Sequence, residues 1–403
     1  MLAVIETHPI QYHAPVYRAL QSKYGVPTTA IYGSDFSVVG YRDREFGADL
    51  AWDTDLLSGY DQVFLSQVEH GGARNFEEVS ANGLNDALSK VAPKMVLMVG
   101  YSPRFNQSAF YEVWKAGYPM LFRAETTDHA LNRNTVKTFM RDAFLRLWYR
   151  RSSKLLYIGR HSYQHYKRLK CPDEKLVFSP YCVDVSTFET DENARARMRP
   201  ELRRSLNLGE EQIVLLFSGK LSHRKGPDLI LRAVKQLPPE VREKINVVFL
   251  GSGQLKDELE SLAQESPRVK AFFPGFQNQS RLSRFYHAAD LLILPSREGE
   301  TWGLVVNEAL HHGLPCVVSE AVGCAPDIVE NDVTGRVFET GSYQSLASAL
   351  IQALKLVGRD EARRNCRQKV SGYSVESAAE GIAEAYWQVA GDVTGQRKAA
   401  RGV

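Results

Sequence analysis

Short apolar runs of strand length recur from one end of the chain to the other, separated by segments long enough for helices. In the first half they are Leu2 to Thr7, Thr28 to Tyr32, Met95 to Val99, Pro119 to Phe122 and Leu155 to Ile158. In the second half they are Ile213 to Phe217, Ile245 to Leu250, Val269 to Phe273, Asp290 to Leu294 and Pro315 to Val318. Continuous apolar runs belong to strands buried on both faces, and strands alternating with helices build parallel sheets covered by helices. A chain of 403 residues holds two such units. The expected fold is therefore α/β, two doubly wound Rossmann-like domains facing across a cleft.

Bulk properties remove some function classes. A net charge of +3 is nearly balanced and gives no bulk case for nucleic acid. Hydrophobic and charged contents of 44% and 24% are ordinary for a globular protein. The five cysteines show no Cys-x-x-Cys or zinc-like spacing, which fits reduced thiols in a cytoplasm. Met1 to Ile5 has no basic leader and reads as a strand, and no apolar run approaches the roughly 20 residues of a membrane-spanning helix.

The stretch from Ser296 to Ser319 carries the chemistry. Glu300 and Glu308 stand there with seven residues between them. Leu304 to Leu310 is helix-compatible, Gly313 suits a C-terminal cap, and Pro315 opens the next strand. Glu300, Thr301, Trp302 and Gly303 then lie where a helix begins, and its free amides form an anion site that Gly303 leaves open to close approach. One carboxylate lies before the helix and the other about two turns inside it. Carboxylates accept hydrogen bonds from sugar hydroxyls, so the arrangement suits a pyrophosphate flanked by two polyols. An ordinary α/β helix with two exposed glutamates is the plainer alternative.

A second basic element fits the same ligand. Gly219-Lys220-Leu221-Ser222-His223-Arg224-Lys225-Gly226 joins a strand to a helix, which is where a diphosphate binds. Gly251-Ser252-Gly253 suits a close backbone approach, and Phe276 in the turn Pro274 to Gln277 is a candidate stacking platform for a base, with core packing the alternative.

These motifs resemble retaining glycosyltransferases of family 4, which have the GT-B fold. The signature is Glu300, seven residues, Glu308, with Trp302-Gly303-Leu304 after the first acid. The resemblance is strong from Gly219 to Gly335 and loose before Pro180. It implies that Glu300 binds the donor sugar and Glu308 the ribose, and that the amides at Trp302, Gly303 and Leu304 meet the sugar and diphosphate. Lys220 and Lys225 then stabilise the leaving diphosphate. Lys220 stands where relatives have arginine, which keeps the charge but loses the planar fork. Glu125, in Arg123 to His129, falls about where relatives place a histidine near the donor sugar; a salt bridge with Arg123 is its alternative. No cofactor or metal is implied beyond the nucleotide-diphosphate-sugar. Asp53-Thr54-Asp55 matches the metal-binding Asp-x-Asp triplet of other glycosyltransferases but lies in a polar loop, and no metal is assigned to it.

The same resemblance sets the domain limits. Residues 1–184 form an acceptor-binding domain ending in a hinge at Ser179 to Asp184, and residues 185–373 a donor-binding domain. A terminal helix over 374–390 packs back onto the first, and the polar tail 391–403 has no order. The acceptor is a glycan, a lipid-linked molecule or a small molecule. His8 and His13, after the first strand, meet the acceptor or merely pack their loop. The irregular region 33–72 is a candidate wall of the acceptor site. Val136, Phe139, Met140, Ala143, Phe144, Leu147 and Trp148 mark an amphipathic helix with basic flanks over 135–151. Its stripe packs on its own sheet, or it rests on the inner face of a membrane. The function expected is sugar transfer in glycan, polysaccharide or glycolipid biosynthesis. Rivals are an epimerase or hydrolase on the same fold and a non-catalytic nucleotide-sugar binder. A dehydrogenase is disfavoured, because Leu2 to Tyr12 lacks Gly-x-Gly-x-x-Gly.

Overall fold

The computed structural model describes residues 1–43, 48–50, 54–129, 134–265 and 269–400, by backbone alone at 41–43, 48–50 and 392–400. Two all-parallel sheets organise them. The first has, in spatial order, Asp61–Phe64, Thr28–Tyr32, Leu2–Glu6, Met95–Val99, Met120–Arg123, Lys154–Tyr157 and Leu176–Phe178. The second has Lys270–Gly275, Ile245–Leu250, Ile213–Ser218, Leu291–Leu294, Cys316–Ser319 and Gly335–Phe338. Ile5 lies between Ile31 and Met98, and Leu215 between Val247 and Leu291.

The apolar runs are continuous because both sheet faces are covered. Leu2 and Val4 pack with Ile382 and Tyr386 of the terminal helix, whereas Ala3 and Ile5 pack with Phe105 and Trp148 on the other side. In the second sheet Leu216 and Leu292 face Trp302 and Val306, and Leu215 and Leu291 face Leu229 and Leu350. In each sheet the chain reverses its winding direction beside the first strand, between Leu2–Glu6 and Met95–Val99 and between Ile213–Ser218 and Leu291–Leu294. Ligands of doubly wound sheets bind outside the carboxyl ends of strands at such points.

Three local expectations are corrected. The region 33–72 is not structureless: Asp61–Phe64 pairs with Thr28–Tyr32 as an edge strand, and Tyr41–Asp43 pairs with Ala48–Leu50. The terminal helix is Val375–Ala400, so it continues past the expected end at Ala390 into the tail. Most of the stripe of the helix Thr135–Arg151 does not pack on its sheet. Leu145, Trp148 and Tyr149 do, while Val136, Phe139, Met140, Phe144 and Leu147 face outward.

Candidate functional site

The helix Leu304–His311 begins at Gly303, whose φ of +96° is left-handed. Among the described residues, no hydrogen-bond acceptor takes the amides of Trp302, Gly303 or Leu304. Before the helix, Glu300 is buried and pairs with Lys225 Nζ, and Ser296 Oγ donates to it at 2.9 Å. The basic and acidic loops are locked together. Arg297 donates to Asp228 through both terminal nitrogens, at 2.8 and 2.7 Å, and Arg224 Nη1 reaches Gly299 O at 3.1 Å.

Inside the helix, Glu308 is 2% exposed. Tyr286 Oη donates to it at 2.5 Å, and Tyr12 Oη, from the first lobe, at 3.4 Å. Burial raises its pKa to about 7, against the lowering effect of those two hydroxyls. Glu308 closes a hollow of about 220 Å³ together with Tyr12, Gly219, Gly251, Phe276 and Val305. Gln11 Oε1, Gln277 Oε1 and Gln279 Nε2 belong to residues of that wall and are buried without partners among the described residues. Such orphaned amides are costly unless something meets them.

A larger hollow, about 460 Å³, opens at the carboxyl ends of the first sheet. Its wall includes Thr7, His8 and His13, then Gly100 to Ser102, then Arg123 to Thr127, with Gly299 and Thr301 from the second lobe. His13 Nδ1 meets Glu6, to which Tyr17 Oη also donates at 3.1 Å, and His13 Nε2 is buried without a partner among the described residues. His8 stands beside Thr7 Oγ1 at 2.9 Å and against the Phe36 ring, and burial lowers its pKa to about 4.

The anticipated residues fall into three groups. Glu300, Lys225, Glu308, Gly219, Gly303, Phe276 and Glu125 stand on or beside these two hollows. Glu125 does not pair with Arg123. It receives hydrogen bonds from Thr301 Oγ1, across the lobes, and from Tyr181 at the hinge. Arg123 instead holds the hinge through Ser179 Oγ at 3.1 Å and Pro180 O at 2.7 Å. Lys220 follows Gly219 but forms no part of either wall, and Lys225 reaches the site only through Glu300. The Trp302 ring is core: it is 2% exposed, donates to Asn307 Oδ1 at 2.9 Å and lies against Tyr373, so only its backbone faces the helix start. Leu304 packs on that same core.

Two further motifs hold loops in place, and Gly251 also lines the smaller hollow. A Cβ on Gly251 would overlap Gly219 O, and one on Gly253 would stand 2.5 Å from Leu221 O, so those glycines bring two loops of the protein together. Asp53 lies outside the described residues. Asp55 takes the amides of Leu57 and Ser58 at 3.0 and 3.1 Å, and its bonds to Ser58 hold its pKa down at about 2. That is a turn cap. Sequence reasoning missed the contacts of Ser296 with Glu300 and of Tyr12 and Tyr286 with Glu308; the two tyrosines lie on other elements and leave no local spacing to read.

Comparisons with known proteins agree with this geometry. The family described as Glycosyl transferases group 1 matches residues 198–371, within the second lobe. An uncharacterized glycosyltransferase of Methanocaldococcus jannaschii is 34% identical over 154 residues, 38% of this chain and 38% of that protein. The D-inositol 3-phosphate glycosyltransferase of Actinosynnema mirum is 33% identical over 225 residues, 53% of this chain and 52% of that protein. The chain thus spans about half the length, or less, of these curated relatives. Among solved structures, Anabaena HepE in complex with UDP superposes with a TM-score of 0.69 at 17% identity, covering 96% of this chain and 99% of that one. The catalytic domain of starch synthase IV from Arabidopsis thaliana, bound to ADP and acarbose, gives 0.69 at 14% identity, covering 96% and 98%. The fold is GT-B.

Proposed function

We propose that the chain is a retaining glycosyltransferase of family 4 that moves a hexosyl or related unit from a nucleoside-diphosphate sugar to an acceptor hydroxyl. One observation carries this reading. The stretch from Gly299 to Glu308 contributes to both hollows, Gly299 and Thr301 to the larger and Val305 and Glu308 to the smaller, with the unpartnered amides between them. A donor laid along it has its nucleoside beside Phe276 and Glu308, its diphosphate on the helix start and its sugar toward Glu300. The acceptor occupies the larger hollow.

The residues supply positioning and electrostatics. As the bond from the anomeric carbon to the phosphate oxygen breaks, negative charge grows on the diphosphate. Lys225 and the amides at Trp302 to Leu304 stabilise it without a metal, and Lys220 adds its charge from outside the wall, beside Gly219. Glu300, poised by Lys225 and Ser296, orients the sugar, and Glu308 takes the ribose hydroxyls. The acceptor oxygen bonds to the anomeric carbon on the face the phosphate leaves, and its proton passes to a phosphate oxygen. A second hollow beside the donor track favours transfer over epimerisation. The setting is the cytoplasmic side of glycan or glycolipid biosynthesis, with the helix Thr135–Arg151 touching the membrane.

The test is a melting-temperature screen of the full chain against UDP-, GDP-, ADP- and dTDP-sugars. UDP-glucose heads the panel, because the superposing HepE has been crystallised with it. One donor should raise the melting point in proportion to the logarithm of its concentration. A panel with no response in the chain, at millimolar concentrations, would refute the reading.

A further inference from the structure

The helix Thr135–Arg151 presents its apolar stripe to water. Val136, Phe139, Met140, Phe144 and Leu147 are 65%, 71%, 66%, 41% and 56% exposed. Their spacing puts them on one side of the helix. Exposed apolar residues are ordinary singly, but a contiguous row marks a surface that something covers. The neighbouring helix Arg104–Lys115 extends it: Trp114 is 41% exposed, and the Arg151 guanidinium lies 4.6 Å from its ring centre.

The charge beside the stripe has one sign. Lys137, Arg146, Arg150 and Arg151 are exposed, whereas Asp142, the helix's one acid, is buried and paired with Arg168. Along the flank that carries Arg146 and Arg150 lies a hollow of about 620 Å³, which Lys170 and Lys175 also line. No acid lines it among the described residues. Lys175 is fixed there by Arg150 O at 3.1 Å and Ser152 O at 2.7 Å.

We infer that this face docks on an anionic lipid bilayer. The stripe enters the boundary between headgroups and acyl chains, and the basic hollow seats a lipid phosphate. A second copy of the chain is a poor occupant, since a two-fold contact would set these cations against their own equivalents. The same helix turns Arg141 inward, tied to Asp128 at 2.9 Å, to line the larger hollow. Docking therefore sets that hollow beside the membrane. Given the transfer reaction proposed above, on which this clause rests, the acceptor is a lipid-borne hydroxyl.

The test is flotation of the full chain with vesicles of phosphatidylcholine alone, or with roughly a third phosphatidylglycerol. The chain should float with the anionic vesicles only, and less as salt rises. The double change Phe139→Ser and Met140→Ser should weaken flotation about tenfold or more. Arg146→Gln and Arg150→Gln should each weaken it about fivefold. All variants should keep the donor-induced melting shift. Absent flotation, equal flotation on both vesicles, or variants that float like the parent would each overturn the inference. So would a dimer that the serine variant splits. A donor shift without flotation sinks the docking and leaves the enzyme reading intact; flotation without a donor shift does the reverse.

Discussion

The ribose-binding role proposed for Glu308 conflicts with its surroundings. Burial favours its protonated form and raises its pKa to about 7 from the ordinary 4.5, but an acceptor of ribose hydroxyls works best ionised. The sign for stability follows from linkage. Between pH 4.5 and 7 the folded chain holds a proton that the unfolded chain has released, so Glu308 contributes stability below this window and loses it as pH rises through it. The total is about 3 kcal/mol. His8, His161 and His311, lowered by burial to about 4, act oppositely and lose stability as pH falls below 6.5. The measurement is therefore a difference. Urea midpoints of the parent and Glu308→Gln, from pH 4.5 to 8, should diverge by about that amount, with the parent gaining relative to the variant toward acid. Donor KM in the parent should fall as pH rises through about 7; parallel curves in both assays would refute this role. Glu300 and Lys225 are coupled in another way, as a half-buried pair. Changing either to Ala should reduce transfer by about a hundredfold or more, and changing both should cost little beyond that, because one removal already breaks the unit. Multiplying losses in kcat/KM would mean that the two act separately.

The helix Leu304–His311 depends on Gly303 for its start. A Cβ there would stand 2.9 Å from Val322 Cγ1 and 3.0 Å from Leu294 Cδ2, on a backbone that alanine adopts only with strain. Gly303→Ala should cost about 1–3 kcal/mol of stability and weaken donor binding by moving the free amides; calorimetry of both would check it, and an unaltered donor affinity would remove the helix start from the site. This element was readable in advance because its signals are local: two acids at fixed spacing, a glycine before an apolar run, another after it. The strands were readable for a related reason, since burial on both faces leaves no polar alternation in runs such as Val96 to Met98. For the helix Thr135–Arg151 two readings stood open, and the one that packs its whole stripe on the sheet fails. Periodicity finds an apolar face but not what that face meets, and here Trp148 turns inward on Leu145 and Tyr149 while the longer row of apolar residues turns outward. Glu125 was placed correctly at the end of its strand, but its partners Thr301 and Tyr181 come from distant parts of the chain, and nothing in Arg123 to His129 announces them.

Across the molecule, the proposed reaction needs the lobes held at one separation, and the seam shows how. Arg160 N donates to both Asp327 oxygens, at 3.0 and 3.2 Å, and Asp327 also takes Tyr373 Oη at 3.0 Å. Tyr12 spans to Glu308 and Thr301 to Glu125. Ser179 Oγ, at the hinge, donates at 2.9 Å to Ala378 O of the terminal helix that clamps the first lobe. Gly159 sits in this seam against the Trp302 ring, and a Cβ there would overlap that ring. Its backbone is extended, with φ of 176°, so alanine brings no backbone strain and acts only as a wedge. Trp302 is held from behind by Asn307 and cannot easily yield. Gly159→Ala should therefore part the lobes while leaving each sheet intact. On the proposed reading the donor binds mostly to the second lobe, so it should still raise the melting point by nearly the parental amount. The proposed transfer, in which Glu125 and the larger hollow stand beside the donor sugar, should fall about tenfold or more, since a misplacement of about 1 Å is enough to lose a near-attack geometry. Small-angle scattering should show a larger radius of gyration. If turnover and radius both match the parent, the seam yields to a methyl group, and lobe spacing is not what limits the reaction.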